Sequence, residues 1–150
     1  MAVTGFWHAG ITVSDMERSL RFYRDGLGLE VVGTGTSSSS AERTWAIPGA
    51  RANIVFVQVP GSDVTLELVE FVDIERHSAS ARPVDPAHGH VCLYVDDLSA
   101  MHTALVAQGF RGRADYVVEI PDGPFAGAKV IYMKDPDGYH VELFETPPAR

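Results

Sequence analysis

The chain contains the same pattern twice, and this repeat limits the folds that it can adopt. In each half the predicted order of elements is a strand, a helix and then three strands. The first module covers about residues 6–72 and the second about residues 89–146. A unit this small cannot bury its own apolar face and must share a core with its copy. We therefore expect an α+β protein of paired βαβββ modules in a single domain, residues 1–150.

Local signals indicate where the helices begin and end. Ser14 and Glu17 have the spacing of a capping box at the start of the first helix. Gly109 stands at a natural C-cap position for the second helix. Residues 33–42 include four consecutive serines and have no apolar period, so we expect a connecting loop there rather than a substrate lid. A weak strand is expected at about 111–119.

The turn and strand near the C-terminus give the first indication of a site. Residues 135–138 read Asp-Pro-Asp-Gly, in which proline fixes its φ and glycine accepts a positive φ. In the strand expected at 139–145, Glu142 lies on the face opposite Val141 and Leu143. A carboxylate buried there without a partner would be costly. Either this face is solvated or a cation meets Glu142.

Each module supplies one histidine and one glutamate at matching places. Superposing the modules puts His8 on His90 and Glu67 on Glu142. Taken singly, such residues are more often structural, but two matching sets favour a site. Two imidazoles and two carboxylates suit a divalent transition metal, Zn²⁺, Ni²⁺, Co²⁺, Mn²⁺ or Fe²⁺. We predict one such ion per chain, held by these four residues.

The predicted ligand set indicates a class of reaction. A six-coordinate ion with four protein ligands keeps two adjacent positions for two substrate oxygens. A chelated carbonyl acidifies the neighbouring C–H group, and Glu67 and Glu142 could then move the proton as base and acid. This arrangement is typical of an isomerase or epimerase.

Further residues are expected around the predicted metal. Thr12, Tyr94 and Phe144 share faces with the proposed ligands and are predicted to bind substrate, as is His140. Glu70 is the alternative to Glu67, but its parity in the strand places it on the opposite face.

Composition excludes some partners. The chain carries 12 Lys and Arg against 20 Asp and Glu, a formal charge of −8, which disfavours nucleic acid. No apolar run approaches membrane-spanning length, and the N-terminus lacks the character of a signal peptide, so we expect a cytoplasmic protein. Cys92 is the single cysteine and is expected to fill the core or a cavity wall. The expected partner is a small-molecule substrate.

Several motifs resemble a known superfamily over about residues 6–146. They are Trp7-His-Ala-Gly-Ile-Thr-Val-Ser-Asp-Met16, Arg18-Ser-Leu-Arg-Phe-Tyr23, Gly28-Leu-Glu30, Gly89-His90 before Val95-Asp-Asp-Leu98, and Asp135-Pro-Asp-Gly138 leading to Glu142-Leu143. Together they resemble the vicinal oxygen chelate superfamily, which includes glyoxalase I, methylmalonyl-CoA epimerase, extradiol dioxygenases, and fosfomycin and bleomycin resistance proteins.

The resemblance implies a fold, a metal site and an assembly. It implies an incomplete eight-stranded barrel around the metal, usually in a homodimer. His8, Glu67, His90 and Glu142 match the four metal positions of the glyoxalase I and epimerase branch. Methylmalonyl-CoA epimerases tend to have glutamine in place of Glu67, whereas glyoxalase I has glutamate.

The function we expect is enolisation of a small substrate with adjacent oxygens, by an epimerase or isomerase or by a glyoxalase-type lyase. One alternative is a binding protein that sequesters a drug or metabolite. The other is an extradiol-type dioxygenase.

Overall fold

The computed structural model describes residues 2–77 and 82–147. The chain divides into two compact units, Met1–Ser78 and Ala79–Arg150, and each unit contains one copy of the repeat. The predicted α+β class and the βαβββ order are confirmed. Within the described ranges, no helix is long and apolar enough to cross a membrane.

The first module forms a four-stranded sheet in the order β1-β4-β3-β2. Strand β1 is parallel to β4, and the other neighbours are antiparallel. Its elements are β1 (Ala9–Thr12), α1 (Met16–Leu20), which continues as a π-helix (Arg21–Gly26), β2 (Glu30–Thr36), α2 (Ala41–Trp45), β3 (Arg51–Gln58) and β4 (Thr65–Val72).

The second module repeats this topology in the order β5-β9-β8-β6, with the short β7 also paired to β8. Strand β5 is parallel to β9, as β1 is to β4. The elements are β5 (His90–Tyr94), α3 (Leu98–Ala107), β6 (Arg111–Gly112), β7 (Val118–Glu119), β8 (Lys129–Lys134) and β9 (His140–Glu145). The weak strand expected at 111–119 is therefore two short strands, which pair with opposite ends of β8.

Each sheet has one apolar face that packs beneath a helix. Leu66 and Leu68 of β4 are buried, as are Val141 and Leu143 of β9. The helices contribute their own buried apolar residues: Met16, Leu20, Phe22, Tyr23, Leu98 and Leu105. Alternation along a strand sends neighbouring side chains to opposite faces, so Glu67 and Glu142 lie on the other face of their sheets.

Aspartates begin both principal helices. Asp15 Oδ1 accepts the N–H of Arg18 at 2.8 Å, and Asp97 Oδ1 accepts the N–H of Ala100 at 2.9 Å. The prediction that Ser14 caps the first helix is wrong by one residue. Its Oγ instead accepts from Arg18 Nη2 at 2.7 Å. An aspartate at N-cap satisfies the same backbone donors as a serine, and its charge suits the helix N-terminus.

The loop expected at 33–42 is only partly a loop. Strand β2 continues to Thr36, and α2 begins at Ala41. Residues 33–36 pair with residues 53–56 of β3, because backbone pairing at a sheet edge needs no apolar periodicity. Trp45 at the end of α2 packs edge-on against Phe71, with ring centroids 4.8 Å apart.

The turn before β9 is confirmed. Asp135 Oδ1 accepts the N–H groups of Asp137 and Tyr139 at 2.9 and 2.8 Å. Gly138 has a φ of 90°, a conformation that glycine adopts without a Cβ clash. The turn therefore determines where β9 begins and which of its residues face each side of the sheet.

Replacing Glu145 with Gln should destabilise the second module in a pH-dependent way. The carboxylate contacts Lys129 Nζ and the N–H of Leu98, each at 2.7 Å, and these contacts hold the pKa of Glu145 below its ordinary value of 4.5. A lowered carboxyl pKa contributes stability that is present above the ordinary pKa and lost as the pH falls through the lowered one.

The free energy of unfolding in urea should therefore be lower for Glu145→Gln than for the parent at neutral pH. The difference should shrink towards about pH 3. Glu30→Gln is the control, since Glu30 is an exposed glutamate of β2. An equal loss in Glu145→Gln at both pH values would contradict this account.

Candidate functional site

The first module brings His8 and Glu67 together. His8 directly precedes β1, and Glu67 lies in the middle of the parallel strand β4, opposite Gly10. His8 Nε2 is 3.2 Å from Glu67 Oε2. The imidazole packs edge-on against Trp7 and Phe56, with ring centroids 4.6 and 5.8 Å away. The aromatic rings hold the imidazole beside the carboxylate.

The second module brings His90 and Glu142 together in the same way. His90 is the first residue of β5, and Glu142 lies in the middle of β9, opposite Cys92. His90 Nε2 is 3.0 Å from Glu142 Oε2. The two histidine–glutamate pairs therefore occupy equivalent positions in their modules.

The geometry within each pair suits adjacent ligands of one metal ion. Ligand atoms about 2.1 Å from an ion and at right angles to one another are about 3.0 Å apart. An imidazole with a proton on Nε2 makes the same contact as a hydrogen bond to the carboxylate. In residues 2–77 and 82–147, no group of three or more His, Cys, Asp or Glu side chains is arranged to hold a metal. The structure thus provides ligands in pairs, and the set of four stays a prediction.

Glu70, the alternative to Glu67, lies on the other face of β4. Its Oε1 accepts the N–H of Met16 at 3.2 Å, and its Oε2 accepts from Asn53 Nδ2 at 3.0 Å. The side chain therefore supports the start of α1 and is not directed at His8.

Tyr132 is a site residue that the sequence alone did not reveal. It lies on β8 opposite Glu142, and its Oη donates to Glu142 Oε2 at 3.0 Å. Burial raises the pKa of Tyr132 to about 12, and the hydrogen bond to Glu142 also raises it. The phenol is therefore protonated at neutral pH. The signal that could have revealed it is its place one strand before Glu142 in the hairpin that the turn at 135–138 closes.

Cys92 is exposed, so it does not fill the core, and its alternative place in a cavity wall stays a prediction. Its parity places it on the same face as Glu142. Loss of hydration around the sulfur raises the pKa of Cys92 to about 11, although the residue as a whole is exposed, and the charge of Glu142 adds to the shift. The thiol is therefore protonated at neutral pH and is a poor nucleophile.

His140 is buried beside the second pair. It is 1% exposed, and its Nδ1 is 2.7 Å from His88 Nε2. Burial lowers the pKa of His140 below its ordinary value, and the charge of His88 lowers it further. His140 is therefore a neutral residue of the sheet interior. Its predicted contact with substrate stays a prediction.

The other residues predicted to bind substrate are accessible. Thr12 is exposed at the end of β1. Tyr94 is 77% exposed and lies opposite Phe144, with their ring centroids 5.9 Å apart. Phe125 contacts Phe144 from another direction, with ring centroids 5.8 Å apart. These rings form an aromatic cluster on the face of Glu142, and their role in binding stays a prediction.

Comparisons with known proteins agree with this fold. A lactoylglutathione lyase of Haemophilus influenzae is 26% identical over 142 residues, covering 92% of this chain and 90% of that protein. A 2-epi-5-epi-valiolone epimerase of an Actinomyces species is 28% identical over 145 residues, covering 93% of this chain and 78% of that protein. A glyoxalase family protein of Bacillus cereus has a similar structure, with a TM-score of 0.82 and 17% sequence identity. The similarity covers 98% of this chain and 97% of that protein.

The family model described as the Glyoxalase/Bleomycin resistance protein/Dioxygenase superfamily matches residues 5–143. This match confirms the resemblance that the sequence motifs indicated. It spans both histidine–glutamate pairs. The chain belongs to the Glyoxalase/Bleomycin resistance protein/Dioxygenase superfamily.

Proposed function

We propose that this protein is a divalent-metal-dependent enzyme that enolises a small substrate carrying adjacent oxygens. The outcome of the reaction is an isomerisation or epimerisation, with a glyoxalase-type lyase reaction as the closest variant. One observation carries the proposal: each module holds a histidine nitrogen within 3.0 to 3.2 Å of a glutamate oxygen at equivalent strand positions.

His8, Glu67, His90 and Glu142 would hold the ion. When bound, a divalent ion would supply Lewis acidity, which lowers the pKa of the C–H group next to a chelated carbonyl. The imidazoles would serve as neutral ligands, because a protonated ring has no free lone pair. The aromatic rings around His8 and the hydrogen bond on Glu142 support this role by limiting the motion of both side chains.

Glu67 and Glu142 would carry the proton. A carboxylate accepts the proton from the acidified carbon and becomes a carboxylic acid, and it returns the proton when the new C–H bond forms. An isomerase or lyase could use one glutamate both to remove the proton and to return it. Return by the other glutamate on the opposite face of the carbon would invert a centre, as an epimerase requires.

The names of the relatives support a substrate with adjacent oxygens. The name of one relative contains a lactoyl group, which has a hydroxyl beside its carbonyl carbon, and the name of the other contains a valiolone, whose ending denotes a ketone. A carbonyl acidifies the C–H group next to it in both cases. We keep the homodimer and the cytoplasmic location as predictions.

Exposed aromatic residues support a second candidate, a binding protein that sequesters a drug or metabolite. Trp7 is 75% exposed and stacks on Phe56, and Tyr94 is 77% exposed. Flat ligands bind such rings without any chemical step. Recovery of an unchanged ligand from a one-to-one complex would favour this candidate. Oxygen uptake with catechols would favour an extradiol-type dioxygenase.

Elemental analysis tests the metal. The purified parent should contain about one transition metal ion per chain, because the four proposed ligands of one chain form one site. The coordination positions left open for substrate are typical of a catalytic metal. His8→Ala and His90→Ala should each weaken metal binding by more than about 100-fold, exceeding the effect of losing an outer-shell contact. His77→Ala is the control, since His77 is exposed outside both sheets. A parent that binds no metal after reloading would contradict the proposal.

Hydrogen exchange tests the chemistry. In D₂O, the metal-loaded protein should catalyse deuterium incorporation into lactoylglutathione or 2-epi-5-epi-valiolone, measured by NMR. Glu67→Gln and Glu142→Gln should each lower the exchange rate by about 100-fold or more, because an amide cannot accept the proton. Glu70→Gln is the matched control on the opposite face of β4. Parent-like exchange in both glutamine variants would exclude the proposed roles.

A further inference from the structure

The two modules place different side chains beside their glutamates. On β3, Phe56 lies opposite Glu67. On β8, Tyr132 occupies the equivalent position opposite Glu142 and donates a hydrogen bond to its Oε2 at 3.0 Å. A phenylalanine ring has no hydroxyl to donate. This hydroxyl is therefore specific to the second module.

Tyr132 contacts both members of the second pair. Its Oη is 3.4 Å from His90 Nε2, and its ring lies edge-on to the imidazole with centroids 5.1 Å apart. The oxygen of Glu142 that accepts the phenol proton is the same oxygen that is 3.0 Å from His90 Nε2. The phenol therefore restrains rotation of the carboxylate and tilting of the imidazole together.

We infer that Tyr132 is a positioning residue that orients Glu142 and His90 for a divalent cation. The inference rests on the proposed function, because it requires a metal at this pair. Groups that hydrogen-bond to metal ligands typically change metal affinity by about 10–100-fold. A strand in the middle of a sheet is a rigid support, so the hydroxyl on β8 holds one ligand orientation before the ion arrives. The first pair lacks this hydroxyl and depends on aromatic packing around His8 instead.

The test is a titration of the metal-free chain with Co²⁺, in which binding is monitored by the visible absorption of the bound ion. Tyr132→Phe removes one oxygen atom and keeps the ring. It should raise the Kd for Co²⁺ by about tenfold or more and change the absorption spectrum. A cooperative urea-unfolding transition of the metal-free variant, at a urea concentration close to that of the parent, would show that the variant folds.

Tyr116→Phe is the matched control, because it removes the same hydroxyl from an exposed tyrosine between β6 and β7. It should not raise the Kd. Tyr132→Phe should weaken Co²⁺ binding by a smaller factor in the Glu142→Gln background than in the parent, since the hydroxyl acts in part through that carboxylate and in part on His90. A residue with a purely structural role would weaken binding by the same factor in both backgrounds.

Three results would overturn the inference in different ways. Parent-like Co²⁺ affinity in Tyr132→Phe would remove the role of Tyr132 and leave the proposed function intact. An equal loss of affinity in the parent and Glu142→Gln backgrounds would show that Tyr132 does not act through Glu142. No Co²⁺ binding by the parent would overturn the inference and the proposed function together.

Discussion

Parallel pairing of the first and last strands of each module is the interaction on which both histidine–glutamate pairs depend. It places β1 beside β4 and β5 beside β9. The register sets Ala9 beside Leu66 and His90 beside His140. A histidine at the start of the first strand therefore lies diagonally next to the glutamate in the middle of the last. His8 thereby meets Glu67, and His90 meets Glu142. Residues that are more than fifty positions apart in sequence become neighbours through backbone hydrogen bonds.

The rest of each module supports this pairing. Two parallel strands require a long crossover connection, and in each module this connection begins with helix α1 or α3 and continues through the strands that follow. Asp15 and Asp97 cap the starts of these helices. The helices cover one face of each sheet and bury its leucines and valines. Burial of that face leaves the glutamates on the other. The turn at 135–138 then brings β9 back beside β8, which puts Glu142 in contact with Tyr132.

The two copies have diverged where chemistry is expected and not where packing is required. The apolar faces of β4 and β9 remain alike, with leucine at equivalent buried positions, Leu68 and Leu143. The positions around the glutamates differ: Gly10 and Phe56 surround Glu67, whereas Cys92 and Tyr132 surround Glu142. Among the residues described, the tyrosine hydrogen bond to a glutamate of a pair occurs only at Glu142, and the pKa of that tyrosine, Tyr132, is raised. A repeated fold has therefore produced two unequal carboxylates.

The sequence by itself determined the repeat, the alternation of the strands, the turn at 135–138 and the equivalence of the two histidine–glutamate pairs. These features are local or periodic, so neighbouring residues carry the signal. The tertiary structure decided which strands pair and in what register. It extended β2 through residues 33–36, where pairing with β3 outweighs weak local preference. It also placed Cys92 at the surface and Tyr132 against Glu142, because the partner of a side chain across a sheet depends on register that no single segment encodes.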